Sequence, residues 1–217
     1  MEVLTEKEAE KFLKKEGFLI VEGFFVKNKS DLKNKNFKFS YVAKASGEKI
    51  VHKKELGGIV LGVNSLKKAE TSFDKLKRIK GVEEVFFQRQ LVSKEFLLGI
   101  KKTPEFGHVI VYGVGGSGVE QKKDFSFRVC PLELRDIREM IEETSIGKNA
   151  SADEKVLLQK EILRLCALAD KFPKIKELDI NPLMVSGGVG VKGGGVGVKN
   201  GCGDGVGYVV DARIVFE

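Results

Sequence analysis

Leu178-Asp179-Ile180-Asn181-Pro182-Leu183 is the stretch from which the fold of this chain can be worked out. Apolar residues alternate with oxygen-bearing ones, so a β-strand would place Asp179 and Asn181 on one face. Downstream, Val209–Val215 is a second predicted strand, with Asp211 embedded in it. A carboxylate inside an apolar strand is costly unless it is paired, hydrogen-bonded or metal-bound. Carboxylate and amide oxygens suit Mg²⁺, which usually takes one or two protein ligands plus phosphate oxygens. Asp179, Asn181 and Asp211 are therefore equal candidates for a metal–nucleotide site.

The composition is that of a globular protein with a basic surface. The chain has 217 residues, 42% of them hydrophobic, which is enough for one large domain or two small ones. Its net charge of +7 favours polyanionic partners such as nucleotides, CoA or nucleic acid. The sequence contains no zinc finger and no RNP-type aromatic motif, so we expect no nucleic-acid partner. The alternative to an enzyme is a non-catalytic basic module that binds RNA or a partner protein.

The cysteines and the apolar segments bear on location. Cys130, Cys166 and Cys202 are far apart and show neither metal-ligand spacing nor a disulfide framework. No apolar run approaches the ~20 residues of a membrane span, and no signal peptide is recognised at the N-terminus. We therefore expect a cytoplasmic location and no membrane partner.

The order of predicted elements indicates an α+β fold, with two subdomains. Capping boxes at Thr5 and Ser151 begin two helices, and Asn64 or Ser65 begins a third. The stretch 187–207 holds 11 of the 25 glycines and contains Gly-Gly-Val-Gly-Val-Lys twice. It joins no strand to a helix, so it is unlike a phosphate loop. We expect an inserted hairpin tip that leaves the flanking strands paired.

A second group of candidate residues lies around Lys44 and His52. Lys44 ends an apolar strand, where its ammonium could neutralise phosphate as a point charge. His52 is one of two histidines, and a neutral imidazole can accept a proton or a phosphoryl group. Gly57-Gly58 would let backbone N–H groups approach an anion. Taken singly, each signal is weak, because an isolated histidine is more often a structural residue and an isolated lysine is more often a surface residue.

A third group lies in the middle of the chain. Glu95 begins an apolar strand and could receive ribose hydroxyls, or it is a charge at a strand edge. Gly115-Gly116 follows an apolar run and either borders the site or forms a simple turn. Glu120 and Arg128 flank Phe125-Ser126-Phe127, and are either cleft residues or partners in a surface ion pair.

The order of these motifs is specific. They run, with their neighbours, as Lys44…His52-Lys53…Gly57-Gly58, Pro104-Glu105-Phe106-Gly107, Gly115-Gly116…Asp124-x-Ser126-Phe127-Arg128, Asp179-Ile180-Asn181-Pro182 and Asp211-Ala212-Arg213. In this order the chain resembles the β subunits of archaeal ADP-forming acetyl-CoA synthetases, which belong to the NDP-forming acyl-CoA synthetase superfamily. The resemblance runs nearly from end to end.

The resemblance implies a fold, a reaction and a partner. The fold would be an ATP-grasp, two α+β subdomains around a nucleotide cleft, expected at 1–86 and 87–217 with the Gly-rich insertion at 187–207. The reaction would convert acyl-CoA, ADP and phosphate to the acid, CoA and ATP. The partner would be a CoA-binding α subunit that carries the primary phosphohistidine, in an α2β2 assembly. A succinyl-CoA synthetase-like β subunit is an alternative, disfavoured by the short chain and the His52 motif.

The resemblance also assigns roles to residues. Lys44 would contact nucleotide phosphates, His52 would relay the phosphoryl group, and Asn181 and Asp211 would bind Mg²⁺, with Asp179 beside them. The remaining nucleotide-binding candidates are Gln88, Arg89, Gln90, Glu95, Gly115 and Gly116, followed by Glu120 and Arg128. Arg89 departs from the pattern, because a glutamate that helps to hold adenosine is expected there.

Overall fold

The computed structural model describes residues 1–47, 50, 53, 55–117, 123–186 and 206–217. Within these residues, eleven strands and five α-helices follow one another in mixed order, which confirms the predicted α+β class. The strands are β1 (Glu2–Val3), β2 (Gly23–Val26), β3 (Tyr41–Ser46), β4 (Ile59–Val63), β5 (Glu84–Arg89), β6 (Lys94–Thr103), β7 (Gly107–Val114), β8 (Phe125–Val129), β9 (Ile175–Ser186), β10 (Val206–Val209) and β11 (Ala212–Phe216). The helices are α1 (Glu6–Lys15), α2 (Leu66–Lys77), α3 (Leu134–Glu143), α4 (Ser145–Lys148) and α5 (Ala152–Lys171), with a 3₁₀ helix at Lys29–Asn34.

The chain divides into two compact units. The larger unit takes its described residues from 1–20 and 93–217, and the smaller unit takes its described residues from 21–92. This division differs from the predicted one at residue 86, which would cut through β5. The first residues belong to the larger unit because β1 pairs antiparallel with β11 and because α1 is buried in that unit's core.

The strands of the larger unit form one seven-stranded antiparallel sheet within the described residues. Its order is β1–β11–β9–β6–β7–β8, and β10 extends the pairing of β9. Helices α1, α3 and α5 cover one face, where apolar side chains of sheet and helices form a single core. The core side chains that are completely shielded from solvent include Leu98, Leu178, Ile180, Ile214, Leu158 and Leu165. Burying each such side chain stabilises the fold by about 1.5–3 kcal/mol.

The strands of the smaller unit form a four-stranded antiparallel sheet in the order β2–β5–β3–β4. Helix α2 packs on one face through Phe73 and Leu76. Across the sheet, Ala43 of β3 lies opposite Phe87 of β5, and both are fully buried in this second core.

The predicted helix starts are confirmed. Thr5 Oγ1 accepts the Glu8 N–H while the Glu8 carboxylate accepts the Thr5 N–H at 2.9 Å, which is a complete capping box. Ser151 and Glu154 form the same arrangement at the start of α5. Such caps stabilise a helix end by about 1 kcal/mol. None of the helices in the described part of the chain is long and apolar enough to cross a bilayer.

The prediction of one strand over Val209–Val215 is wrong. Strand β10 ends at Val209 and β11 begins at Ala212, so Asp211 lies between the strands rather than inside one. The break faces Pro182, which has no N–H to donate to a ladder. The carbonyl oxygen of Pro182 can still accept, and it accepts the Val210 N–H at 3.1 Å.

The sequence predicted the pairing of the strands on either side of the Gly-rich insertion, but it did not predict strand β8. Strand β8 was not predicted, although apolar residues alternate along it in the manner of a strand. Residues 187–205 of the Gly-rich insertion lie outside the described residues. On either side, Ser186 of β9 pairs with Val206 of β10, as the hairpin prediction requires.

Candidate functional site

Asp179 and Asn181 lie on one face of β9, as the alternation predicted. Ile180, between them, is fully buried against the helices, whereas Asp179 and Asn181 are half-buried on the opposite face. In register, Asp179 lies between Gly99 of β6 and Arg213 of β11. We call this face of the larger sheet, which carries Gly99, Asp179, Asn181 and Arg213, the outer face.

Asn181 is held by contacts from two other segments. Its side-chain Oδ1 accepts the backbone N–H of Gly116 at 2.7 Å. Its own backbone N–H donates to the carbonyl oxygen of Asp211 at 3.0 Å. The structure therefore brings together three predicted residues that are distant in sequence. An amide oxygen accepts two hydrogen bonds or ligand contacts, and among the described residues Asn181 Oδ1 accepts one, which leaves a position for a ligand.

Glu95 and the two glycines form the next part of this arrangement. The Gly115 N–H donates to the Glu95 carbonyl at 2.8 Å. A Cβ atom on Gly116 would lie 1.7 Å from Glu95 Oε2, so the carboxylate rests directly over this residue. Gly116 has φ +80°, a left-handed conformation that other residues rarely adopt. Glu95, an exposed hydrogen-bond acceptor, thus lies against Gly116, whose N–H contacts the Asn181 amide oxygen.

The donor set of the larger unit fits a hard cation such as Mg²⁺. Asn181 and Asp211 supply an amide oxygen and a carboxylate, and their backbones are hydrogen-bonded to each other. The described residues contain no group of three or more His, Cys, Asp or Glu that could hold a metal by themselves. One or two protein oxygens, completed by phosphate and water, are what Mg²⁺ usually takes in a nucleotide site.

Asp179 is engaged with its neighbours. Burial and the nearby Glu177 carboxylate together raise the pKa of Asp179 to about 6, although Arg213 and Lys101 act in the opposite direction. A Cβ atom on Gly99 would lie 3.4 Å from Asp179 Oδ1, so Gly99 leaves room for this carboxylate. These contacts fit a position beside the metal ligands, as the resemblance implies.

Glu177 was missed by the sequence reasoning. It lies within 3.7 Å of both Lys101 and Arg213 and thus links the two basic residues on the outer face. Its signal in the sequence was the continued alternation of oxygen-bearing residues at 177, 179 and 181.

Lys44 of the smaller unit is a buried cation. Only 5% of the residue is exposed, and its Nζ lies 5.8 Å from the ring centroid of Phe86, its partner on β5. The Phe86 ring stacks on Phe25, with centroids 4.2 Å apart. An ammonium group over an aromatic face is attracted by the ring electrons. Phe86 was not singled out from the sequence, which cannot show which face of β5 meets Lys44.

Gln88 carries a buried amide on β5, the strand that also contains Phe86. The residue is 1% exposed, and its Nε2 has no hydrogen-bond partner among the described atoms. A buried donor without a partner costs about 1–3 kcal/mol, so this group is a candidate for contact with a ligand.

The next two residues have structural partners. The Arg89 guanidinium lies 4.4 Å from the ring centroid of Phe39. Gln90 Oε1 accepts both the Ser40 hydroxyl at 3.0 Å and the Gly62 N–H at 2.9 Å. The carbonyl end of the Gln90 side chain therefore joins two segments of the smaller unit.

Arg128 lies on the other face of the larger sheet. Its guanidinium pairs with the Glu143 carboxylate of α3 and donates to Ser126 Oγ at 3.3 Å. The neighbouring Phe127 is in register with Val111, which pairs with Gly99 on the outer face. Arg128 thus joins an ion pair and is not grouped with Asn181. His52 and Glu120 lie outside the described residues.

Residues 1–191 match the ATP-grasp domain family, and the chain belongs to this family. Among curated proteins, it is similar to subunit β of the ADP-forming acetate–CoA ligase I of Pyrococcus furiosus, with 31% identity over 83% of this chain and 84% of that subunit. It is also similar to the ADP-forming acetate–CoA ligase II of Archaeoglobus fulgidus, with 34% identity over 70% of this chain. The chain spans about a quarter of that longer protein, 23% of its length.

A solved structure supports the same fold. The acetyl-coenzyme A synthetase 1 of Candidatus Korarchaeum cryptofilum, in complex with coenzyme A and Ca-AMPCP, matches with a TM-score of 0.78. The match covers 100% of this chain and 94% of that chain at 23% identity. The predicted ATP-grasp fold is therefore confirmed.

Proposed function

We propose that this chain is the nucleotide-binding β subunit of an ADP-forming acyl-CoA synthetase. With its partner it would convert acyl-CoA, ADP and phosphate to the acid, CoA and ATP. Family membership and the similarity to a ligase β subunit over most of both chains support the proposal. The observation that carries it is the contact of the Gly116 N–H with Asn181 Oδ1, beneath the Glu95 carboxylate.

In the larger unit we assign the metal and the sugar to different residues. Asn181 and Asp211 would hold Mg²⁺, which supplies charge neutralisation at the phosphates when it is bound. Glu95 would accept hydrogen bonds from ribose hydroxyls, since its carboxylate is exposed beside a residue without a side chain. Gly115 and Gly116 would keep the backbone accessible to the ligand, and Gly116 orients the Asn181 amide. Asp179 would sit beside the metal ligands.

In the smaller unit, Lys44 and Gln88 are the supported candidates. The Lys44 ammonium, which lies within β3, would neutralise phosphate, because charges attract each other more strongly at a buried position than in water. The buried Gln88 amide would donate to the nucleotide. Arg89 and Gln90 would not contact the nucleotide themselves but would hold the neighbouring segments in place. From the sequence alone, His52 is proposed as the residue that relays the phosphoryl group.

The partner in this proposal is a CoA-binding α subunit with the primary phosphohistidine, assembled as α2β2. The P. furiosus protein is itself a β subunit, which supports the need for a second chain. A cytoplasmic location stays a prediction from the cysteine pattern.

Calorimetry with Mg-ADP and Mg-GDP tests the binding role directly. The wild type should bind at least one of the two, and Asn181→Ala should weaken binding by about tenfold or more. Asn149→Ala is the matched control, because this exposed amide donates to the Ser145 carbonyl at a helix end and is not among the proposed ligand contacts. If the wild type binds neither nucleotide, the proposal fails.

Reconstitution tests the catalytic role. Synthetase activity should appear only after mixing with an α subunit of the same family, and His52→Ala should abolish most of it. Retained full activity in His52→Ala would remove the relay role, and activity of the isolated chain would remove the need for a partner.

A further inference from the structure

Phe86 lies at the centre of one face of the smaller sheet. In the register of β2, β5 and β3, Phe25 lies opposite Phe86 on one side and Lys44 lies opposite it on the other. Because residues directly opposite each other in a sheet point to the same face, these three side chains form a row across it. The neighbouring Phe87 points to the other face, where it is buried in the core that α2 covers.

The Phe86 ring is held in place by close packing. It stacks on the Phe25 ring, with centroids 4.2 Å apart and ring planes 12° from parallel. A Cβ atom on Gly23 would lie 2.4 Å from Phe86 Cε2, so the ring occupies the space that a side chain at this position would need. Only 1% of Phe86 is exposed. The ring is therefore fixed in orientation, and it is too buried to touch a ligand directly.

The Phe86 ring is in turn the surface on which Lys44 rests. The Lys44 Nζ lies 5.8 Å from the ring centroid, and the residue is 5% exposed. A cation within about 6 Å of an aromatic ring is attracted by the ring electrons, and more strongly where water is excluded. The contact therefore restricts the long, flexible stem of the lysine, which would otherwise lose much rotamer entropy when its ammonium binds a ligand.

We propose that Phe86 is a positioning residue, which holds the Lys44 ammonium in the orientation that receives the nucleotide phosphates. The inference rests on the proposed function, in which Lys44 contacts those phosphates. Gln88, the other supported candidate of this unit, lies two residues along β5 and thus on the same face as Phe86. An ammonium group that is already ordered binds an anion with a smaller loss of entropy, so the ring contributes to affinity without touching the ligand.

Phe86→Leu in the full chain removes the ring and keeps an apolar side chain, and calorimetry measures the effect on nucleotide affinity. The affinity for Mg-ADP should fall about two- to thirtyfold, the range expected for the loss of a cation–π contact. Phe87→Leu is the matched control, because it makes the same change at the next residue, which faces away from Lys44. Both variants lose stability, but Phe87→Leu should bind Mg-ADP as the wild type does.

Two further readouts separate positioning from a general loss of structure. In a Lys44→Met background, Phe86→Leu should weaken Mg-ADP binding no further, because no ammonium group is left to orient. In NMR spectra of the nucleotide-free protein, the Lys44 methylene protons should be shifted upfield by the ring and should return towards their ordinary values in Phe86→Leu. The Lys44→Met spectrum identifies these signals by their absence.

The outcomes distinguish this inference from the proposed function. Wild-type affinity in Phe86→Leu, together with weak binding in Lys44→Met, would overturn the inference and leave the proposed function intact. Equal losses of affinity in Phe86→Leu and Phe87→Leu would also overturn it, because they would indicate a structural role alone. A wild type that binds neither Mg-ADP nor Mg-GDP would remove the proposed function, and the inference with it.

Discussion

Replacing Gly116 by alanine should separate the stability of the larger unit from its binding of nucleotide. An alanine at φ +80° costs about 1–2 kcal/mol, because its Cβ approaches the following carbonyl. The three atoms nearest to the added Cβ all belong to Glu95, with Oε2 at 1.7 Å. Glu95 is exposed, so its side chain can rotate away at little further cost to folding.

The rotation of the Glu95 side chain should affect nucleotide affinity more than it affects folding stability. It removes the carboxylate from its place against Gly116, and a hydrogen bond to a charged group contributes about 1.5–3 kcal/mol. Calorimetry should therefore show Mg-ADP affinity reduced about ten- to a hundredfold. Urea unfolding should show a loss of only about 1–2 kcal/mol.

Gly107→Ala is the matched control. Gly107 has φ +68°, and an added Cβ would meet no atom within 4 Å, so the torsional cost is similar and the site is untouched. Its affinity for Mg-ADP should equal that of the wild type. In a Glu95→Ala background, Gly116→Ala should lower the affinity no further. Wild-type affinity in Gly116→Ala, with stability reduced as in Gly107→Ala, would refute the placement of Glu95 in the site.

Three further changes test other parts of the molecule. Lys44→Met keeps a stem of similar length over Phe86, so urea unfolding should change by less than about 1.5 kcal/mol while calorimetry shows weaker Mg-ADP binding; unchanged binding would exclude the phosphate role. Phe87→Ala removes a fully buried ring and should destabilise the smaller unit by about 3–5 kcal/mol, measured by hydrogen exchange, and protection as in the wild type would contradict this packing. Burial raises the pKa of Glu161 despite its ion pair with Arg164, so its ionisation disfavours the folded state as pH rises above the ordinary carboxyl range. Urea unfolding at pH 4 and pH 7 should show Glu161→Gln gaining stability relative to the wild type at the higher pH, and a parallel change in both proteins would contradict this.

Short sequence patterns predicted the features that depend on interactions between residues close in sequence. The capping boxes at Thr5 and Ser151 needed only residues three apart, and the shared face of Asp179 and Asn181 needed only the period of a strand. The break at Asp211 was missed, because it depends on the missing N–H of a proline on the neighbouring strand.

Contacts between distant residues could not be derived in this way. The hydrogen bond from Gly116 to Asn181 joins positions 65 residues apart and depends on a left-handed turn. Arg128 has several acidic residues within reach in sequence, and only the register of β8 against α3 selects Glu143. The family resemblance supplied the candidate residues. The structure then showed which of them lie close together, such as Glu95 and Asn181 around Gly116, and which lie elsewhere, such as Arg128.

The pairing of β1 with β11 affects the order in which the chain can fold during synthesis. The first strand of the larger unit cannot complete its sheet until the last strand has been made, whereas the smaller unit has all its strands once residue 92 is out of the ribosome. Contacts of such long sequence separation form late, because they require closure of almost the entire chain. The amphipathic helix α1 must therefore remain without its core for most of translation, and a chain shortened by its last six residues would leave β1 without its sheet partner.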